Sequence, residues 1–160
     1  NDARRMTDLI PRAERAGVRN LQVRSPTERD PFRGLAGAMD VVFVDAPCTG
    51  SGTWRRHPDA KWRLSEQQLQ RRMAEQDSVL DQAATFLKPG GRIIYVTCSL
   101  LAEENEDRVE AFLARTLGFS VRPAPFQHLA TAQGYLRLTP RSAGTDGFFA
   151  AVLERSTYSP

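Results

Sequence analysis

The sequence predicts an α/β fold in which helices cover a parallel sheet. Two apolar runs, at residues 40–45 and 92–97, have the length and composition of buried strands. A long amphipathic helical pattern separates them, and alternation of strand and helix is typical of parallel sheets. Ligands bind in such folds where the carboxyl ends of adjacent strands share a crevice. We therefore expect a functional site after these two runs.

The first elements are a helix and a short strand. The spacing predicts a helix over residues 4–17 that ends at Gly17, and Pro11 inside it predicts a kink or a late start. A short strand is predicted at residues 21–23, before a polar loop. The apolar face of the helix comprises Met6, Leu9, Ile10, Ala13 and Ala16.

The central helix has a clear start and a clear end. Ser65 with Gln68 three residues later forms the pattern of a capping box, which predicts a helix beginning there. The run Lys88-Pro89-Gly90-Gly91 predicts its end, directly before the strand at 92–97. The predicted apolar stripe comprises Leu69, Met73, Leu80, Ala83, Ala84 and Leu87.

The remaining elements complete the alternation. A further helix is predicted over residues 103–117, with Gly118 as its stop. Three short apolar runs then predict strands. They lie at residues 119–125, 135–139 and 147–153.

Composition indicates one ordinary globular domain. The chain has 160 residues, of which 41% are hydrophobic and 26% charged. We find neither an apolar run long enough to span a membrane nor a signal peptide. Two cysteines fifty residues apart, without a CxxC pair, favour neither a disulfide scaffold nor a zinc site. We expect no metal and a reduced, cytoplasmic setting.

Positive charge is concentrated in one segment, although the net charge is only +3. Four cations surround two tryptophans just after the first cysteine, a combination that suits phosphate contacts and base stacking. The alternative is a solvated loop whose tryptophans pack locally. The residues are Trp54, Arg55, Arg56, Lys61, Trp62 and Arg63.

The first strand ends in Asp45-Ala46-Pro47-Cys48. Pro47 cannot donate to a ladder, so the strand must end there and Asp45 is expected at the crevice. The polar loop that follows contains Gly50 and Gly52 and would allow a substrate to approach closely. Taken alone, Cys48 would more often be a small buried hydrophobic residue and Asp45 a cap of the turn.

The second strand ends in the same way, with Thr97-Cys98-Ser99. A cysteine at this edge can be activated as a thiolate by nearby cations or helix N-termini. Core packing would explain either thiol separately. Because both Cys48 and Cys98 follow strands and adjoin polar residues, the pair favours covalent chemistry.

Several motifs together resemble those of the Sun (Fmu) family of RNA cytosine-5 methyltransferases. The resemblance extends from the first helix to about residue 154, and the combination of the two cysteine motifs with Arg-Arg-His-Pro is specific. The motifs are Asp45-Ala-Pro-Cys48-Thr-Gly-Ser-Gly, Arg55-Arg56-His57-Pro58-Asp59-Ala60-Lys61-Trp62, Lys88-Pro-Gly-Gly91, Tyr95-Val-Thr-Cys98-Ser99, Glu103-Glu104-Asn105-Glu106 and Asp146-Gly147-Phe148-Phe149.

This resemblance implies a Rossmann-like class I methyltransferase sheet with helices on both faces. Residues 1–154 would form a partial S-adenosylmethionine-dependent domain and 155–160 a C-terminal tail. Asp45, Ala46 and Pro47 would contact the cofactor, S-adenosylmethionine.

The resemblance also implies a covalent mechanism on an RNA cytosine. The Cys98 thiolate would add to C6, so that C5 takes the methyl group. Asp45 would hydrogen-bond the base near N3 and N4, and Cys48 would assist release of the product. The target base would have to be unpaired or flipped out, and ribosomal RNA is the expected substrate.

The same resemblance assigns RNA binding to the basic segment. Arg55, Arg56, His57 and Lys61 would hold phosphates or order the site. A lone histidine is more often structural than catalytic, so His57 carries little weight by itself.

The chain departs from the family at its beginning. The glycine-rich cofactor loop that precedes the first helix of the family is not found here. We interpret the chain as the C-terminal part of a catalytic domain that lacks its first two strands. A sheet gap with exposed edges would follow, and we expect weak or no activity from this chain alone.

Two other functions fit part of the pattern. In DNA cytosine-5 methyltransferases the proline-cysteine thiol is the nucleophile, but Thr97-Cys98-Ser99 weighs against that class. A nucleic-acid-binding module that has lost catalysis would keep the basic tryptophan segment without the cofactor loop.

Overall fold

A computed structural model of the chain describes residues 8–25, 27 and 29–158. They divide into two units, one up to Gly34 and one from Leu35 onward. The predicted helix residues 4–7 lie outside the described residues, as does Pro26 of the predicted polar loop.

In the described part of the first unit there is one helix, α1, Leu9–Arg15. Pro11 lies in its first turn, where a missing backbone N–H costs no helical hydrogen bond. The predicted strand at 21–23 is wrong, because these residues form no ladder with any described residue. Leu21 and Val23 are exposed. A short apolar run becomes a strand only where a partner takes its backbone hydrogen bonds.

The second unit is built on one five-stranded sheet. The strands are β1 Met39–Asp45, β2 Leu87–Thr97, β3 Phe119–Arg122, β4 Leu136–Leu138 and β5 Phe148–Arg155. Strand β1 pairs with β2, β2 with β5, and β5 with both β3 and β4.

The sheet is mixed, which corrects the expectation of a parallel sheet. Only β1 and β2 are parallel, whereas β5 runs antiparallel to β2, β3 and β4. Parallel neighbours need a crossover of a dozen or more residues. Residues 139–147 between β4 and β5 are too few for such a crossover, so β5 returns antiparallel.

The helices of the second unit begin and end with local signals. Helix α3 starts as predicted, with Ser65 Oγ accepting a hydrogen bond from the Gln68 N–H. The predicted helix 103–117 is divided into a 3₁₀ turn, Ala102–Glu104, and α4, which begins at Glu106. The helices are α2 Ala60–Arg63, α3 Glu66–Phe86, α4 Glu106–Arg115 and α5 Pro140–Ala143.

Helices α3 and α4 pack against each other, and α3 packs on β1 and β2. The core includes Tyr95 of β2, whose ring meets Phe149 of β5 edge-on at 6.4 Å between centroids. The outward side chains of β1 are poorly covered, and Phe43 is 63% exposed. Among the described residues β1 forms one edge of the sheet, and β3 and β4 lie at the other. No helix in the described part of the chain is long and apolar enough to cross a membrane.

Candidate active site

The parallel register of β1 and β2 brings the two cysteines together. Asp45, the last residue of β1, lies opposite Val96 of β2, so the two strands end at the same edge of the sheet. The Sγ atoms of Cys48 and Cys98 are 3.4 Å apart. Both thiols are free and partly buried. The carboxyl ends of the two strands therefore hold a thiol pair within hydrogen-bonding distance.

The pKa values of the two thiols are shifted in opposite directions. The hydrogen bond from Cys48 lowers the pKa of Cys98 to about 7, against the opposing effects of burial and of the Asp45 and Glu104 charges. The hydrogen bond to Cys98 and burial both raise the pKa of Cys48. Cys98 is thus the more acidic thiol of the pair, and Cys48 is the one that keeps its proton.

Asp45, Ala46 and Pro47 differ in what they can offer a ligand. Asp45 is exposed, and its charge reaches the Cys98 thiol. The buried Ala46 donates its N–H to Val96 O at 2.9 Å. Pro47 has no N–H, and its carbonyl accepts a hydrogen bond from Gln76 Nε2 at 2.8 Å. The carboxylate of Asp45 is therefore the main polar group of this segment that is available to a ligand.

Hydrogen bonds join the loop after Cys48 to the loop after Cys98. The Gly52 N–H donates to Cys98 O at 2.9 Å, and the Ser51 and Ser99 hydroxyls are 2.9 Å apart. A third loop joins through Gly147, whose N–H donates to Gly52 O at 2.8 Å. The thiols are thus carried by loops that are linked through backbone atoms.

A buried glutamate holds the Cys48 loop through hydrogen bonds. Glu104 accepts hydrogen bonds from the N–H and the hydroxyl of Thr49, at 2.8 and 2.5 Å. Gln76 Nε2 lies 3.3 Å from the same carboxylate, and the Tyr95 hydroxyl donates to Glu104 O at 2.7 Å. Glu104 is fully buried, so these contacts replace its hydration.

The next residue, Asn105, supports the Cys98 loop. Its Oδ1 accepts a hydrogen bond from the Thr97 hydroxyl at 2.5 Å, and its Nδ2 donates to Ser99 O at 3.0 Å. Thr97 and Ser99 flank Cys98 in the sequence. Consecutive residues thus hold the two thiol loops, because the chain turns at Asn105 between the 3₁₀ segment and α4.

The sequence contains signals for these supporting residues, although the sequence analysis above gives them no role. Glu104 and Asn105 lie within the motif Glu103-Glu104-Asn105-Glu106. Gln76 is a polar residue three positions after Met73 and four before Leu80, within the apolar stripe of α3. A polar residue in such a stripe indicates a buried hydrogen-bond partner.

The basic segment lies on the surface beside the loops. Arg55 and Arg56 both pair with one carboxylate, Asp146, at 3.2 and 2.5 Å. Lys61 Nζ lies 4.6 Å from the centre of the Trp62 ring, and that ring is 80% exposed. Exposure of Trp62 argues against the alternative of local packing for this tryptophan.

His57 is exposed. The segment as a whole presents cations and an aromatic face to solvent. Within the described residues, no group of three or more His, Cys, Asp or Glu side chains is placed to hold a metal.

Solved structures share this architecture. The protein PH0851 superposes with a TM-score of 0.87 at 34% identity, over 96% of this chain and 35% of that one. A methyltransferase homolog protein from Pyrococcus horikoshii gives a TM-score of 0.78 at 26% identity, over 96% and 51% of the two chains. The fold is that of the Rossmann-like methyltransferases.

Sequence comparison gives the family. The profile of the 16S rRNA methyltransferase RsmB/F family matches residues 1–154. Ribosomal RNA small subunit methyltransferase B of Thermus thermophilus is 40% identical over 155 residues, which is 92% of this chain. The chain covers 38% of that relative's length. The chain belongs to the RsmB/F family of rRNA methyltransferases, which confirms the resemblance to the Sun family.

Proposed function

We propose that this chain carries the catalytic residues for transfer of a methyl group from S-adenosylmethionine to C5 of a cytosine in ribosomal RNA. The observation that supports it best is the thiol pair at 3.4 Å, in which the pKa of one member is lowered. Membership of an rRNA methyltransferase family favours the same reaction class. The choice of C5 as the methylated atom and the route through a covalent cysteine adduct are our inference from the site.

Cys98 begins the reaction by forming a bond from its sulfur to C6 of the cytosine. Because its pKa is about 7, a large fraction is thiolate at neutral pH. The electron pair of the C5–C6 double bond would then be available at C5, which would take the methyl group as its bond to the cofactor sulfur breaks and the thioether product leaves. Asp45 at the same edge of the sheet would accept hydrogen bonds from the N4 amino group and from N3–H of the proton-bearing adduct.

The residues at the end of β1 fit S-adenosylmethionine in part. The exposed carboxylate of Asp45 suits a cationic group of the cofactor, whereas the Ala46 N–H is already bonded to Val96. Asp45 would therefore contribute the polar contact, and Pro47 an apolar surface. When bound, the cofactor supplies the methyl group.

Cys48 assists release of the product. In the adduct the Cys98 sulfur is a neutral thioether, so the negative charge and the hydrogen bond that raise the pKa of Cys48 are gone. Cys48 can then lose its own proton to solvent, and its thiolate takes the proton from C5. The Cys98–C6 bond breaks, and its electrons return to the sulfur as the ring double bond re-forms.

RNA reaches the site through the exposed basic segment. Arg55, Arg56, His57 and Lys61 contact phosphates in this proposal, and the exposed Trp62 ring offers a stacking face. The reacting base must leave any helix to meet Cys98. Because the chemistry needs two reduced thiols, we place it in the cytoplasm.

Trapping of a covalent protein–RNA complex tests the proposal. The full protein that carries this chain is incubated with RNA and S-adenosylmethionine, and adducts are detected on a denaturing gel. We expect adduct to accumulate in Cys48→Ala and to be lost in Cys98→Ala. The opposite pattern would support the DNA-type mechanism, and no adduct in any variant would favour a binding module without catalysis.

A further inference from the structure

A cationic pocket of about 330 Å³ opens beside the Cys48 thiol. Cys48 and Thr49 form one wall, and the helices α2 and α3 supply the rest. Three of the lining residues are arginines, and none is acidic. The helical residues and the adjoining Leu64 are Ala60, Arg63, Leu64, Gln68, Arg71 and Arg72.

The geometry of α3 explains how the charges converge. Gln68, Arg71 and Arg72 are spaced three and four residues apart, so they share one face of the helix. Arg63 ends the short helix α2 on the other side of the pocket. Three guanidinium groups around one cavity repel one another, and an anion between them would relieve that repulsion.

The arginines of the pocket remain available for a ligand. Arg71 makes no ion pair or side-chain hydrogen bond with any described residue. Arg63 pairs with Asp59 and Arg72 with Glu75, and all four of these side chains are at least 38% exposed. Such exposed pairs contribute little and are readily exchanged. The cations of Arg55 and Arg56, by contrast, share Asp146.

We propose that this pocket binds the phosphate of the nucleotide next to the target cytosine. The inference rests on the proposed function, because Cys48 would then place the pocket against the reacting base. Guanidinium groups bind phosphate oxygens in a bidentate manner, and Gln68 can donate to a further oxygen or a ribose hydroxyl. The pocket shares Arg63 with the basic segment, but its other two arginines, Arg71 and Arg72, lie on α3 outside that segment.

A charge-neutral linkage tests this contact directly. A single-stranded oligoribonucleotide with one cytosine is prepared with ordinary phosphates and with a methylphosphonate beside that cytosine. Binding to the full protein is measured at several salt concentrations for the unmodified protein, for R71Q/R72Q and for the control R141Q. Arg141 is exposed and lies outside the pocket.

We expect R71Q/R72Q to lower the slope of log affinity against log salt by about 0.7, the value for one phosphate contact on a single strand. The methylphosphonate should weaken binding to the unmodified protein and to R141Q, but not to R71Q/R72Q. An equal effect of the neutral linkage on all three proteins, or an unchanged slope in R71Q/R72Q, would overturn the proposal.

The same oligonucleotide separates this inference from the proposed function. Adduct at Cys98 together with unchanged binding by R71Q/R72Q would reject the pocket and leave the methyl transfer standing. The expected binding pattern without any adduct would support the pocket and reject the chemistry. Absence of any RNA binding by the unmodified protein would reject both.

Discussion

The Glu104 carboxylate accepts two hydrogen bonds from Thr49, one from the Thr49 backbone N–H and one from the Thr49 hydroxyl, although the two residues are 55 positions apart. Thr49 directly follows Cys48. The position of the first thiol thus depends on a carboxylate buried beneath the sheet edge. Asn105 does the same for the second thiol through Thr97 and Ser99.

Replacement of the buried carboxylate should weaken both the fold and the site. In Glu104→Gln one acceptor oxygen becomes an amide donor, which cannot accept from Thr49. We expect the free energy of unfolding in urea to fall by about 1–3 kcal/mol, the cost of an unmade buried hydrogen bond. Glu103→Gln, an exposed neighbour, should change it by less than about 0.5 kcal/mol. Equal effects of the two substitutions would contradict the supporting role of Glu104.

The reactivity of Cys98 should depend on pH through its neighbour. Below pH 7 the thiol is protonated, so its alkylation by iodoacetamide should slow by about tenfold per pH unit and reach a plateau above about pH 8. Removal of the hydrogen-bond donor in Cys48→Ala should raise the pKa of Cys98. Rates are followed by mass spectrometry of the Cys98 peptide.

Cys48→Ser provides the control, because serine keeps an O–H donor at the same position. Its Cys98 profile should lie between those of the unmodified protein and Cys48→Ala. A midpoint unaffected by Cys48→Ala would show that the thiol pair does not set the acidity of Cys98.

A side chain at Gly52 should separate the loops of the site. A Cβ there would lie 2.3 Å from Gly147 O, closer than any real contact. Gly52→Ala must therefore move the backbone, and we expect a loss of about 1–3 kcal/mol in unfolding free energy. The substitution should also slow adduct formation, since Gly52 binds the Cys98 carbonyl.

The matched control is Gly144→Ala, where φ is +65° and nothing lies within 4 Å of the new Cβ. It should cost only the backbone strain of about 1–2 kcal/mol and leave adduct formation unchanged. If Gly144→Ala slowed adduct formation as much as Gly52→Ala, the loop contact would not be the cause.

Asp146 should restrain the RNA affinity of the basic segment. Asp146→Asn removes the charge that Arg55 and Arg56 share, so both guanidinium groups become available. We expect tighter binding to single-stranded RNA and a salt slope steeper by about 0.7 for each additional phosphate contact. Asp40→Asn, which frees the distant Lys88, is the control with the same change in charge. A similar gain in both variants would indicate a general effect of net charge.

The sequence predicted those parts of the molecule that depend on neighbours in the chain. Apolar runs located β1 and β2, and the Ser65 cap located the start of α3. Convergence of Cys48 and Cys98 followed from the rule that adjacent parallel strands end at one edge. These features need no knowledge of distant contacts.

Features that depend on distant partners were missed. The run 21–23 has the composition of a strand, but only a paired neighbour makes a strand. The direction of β5 depends on the short connection from β4. Arg55 pairs with Asp146, which lies 91 positions away, and the local sequence pattern does not predict such a contact.

The central position of β5 has a consequence for the order in which the protein can fold during synthesis. The ribosome completes Thr97 of β2 before it begins Phe148 of β5, and at about 5–20 residues per second this interval lasts roughly 3–10 s. During it the edge of β2 that β5 will cover stays open, and Tyr95 lacks its Phe149 neighbour. Gly147, which binds the Cys48 loop, arrives equally late. The sheet edge that carries the two thiols is therefore completed only when β5 is added, and chaperones have several seconds in which to bind the incomplete sheet.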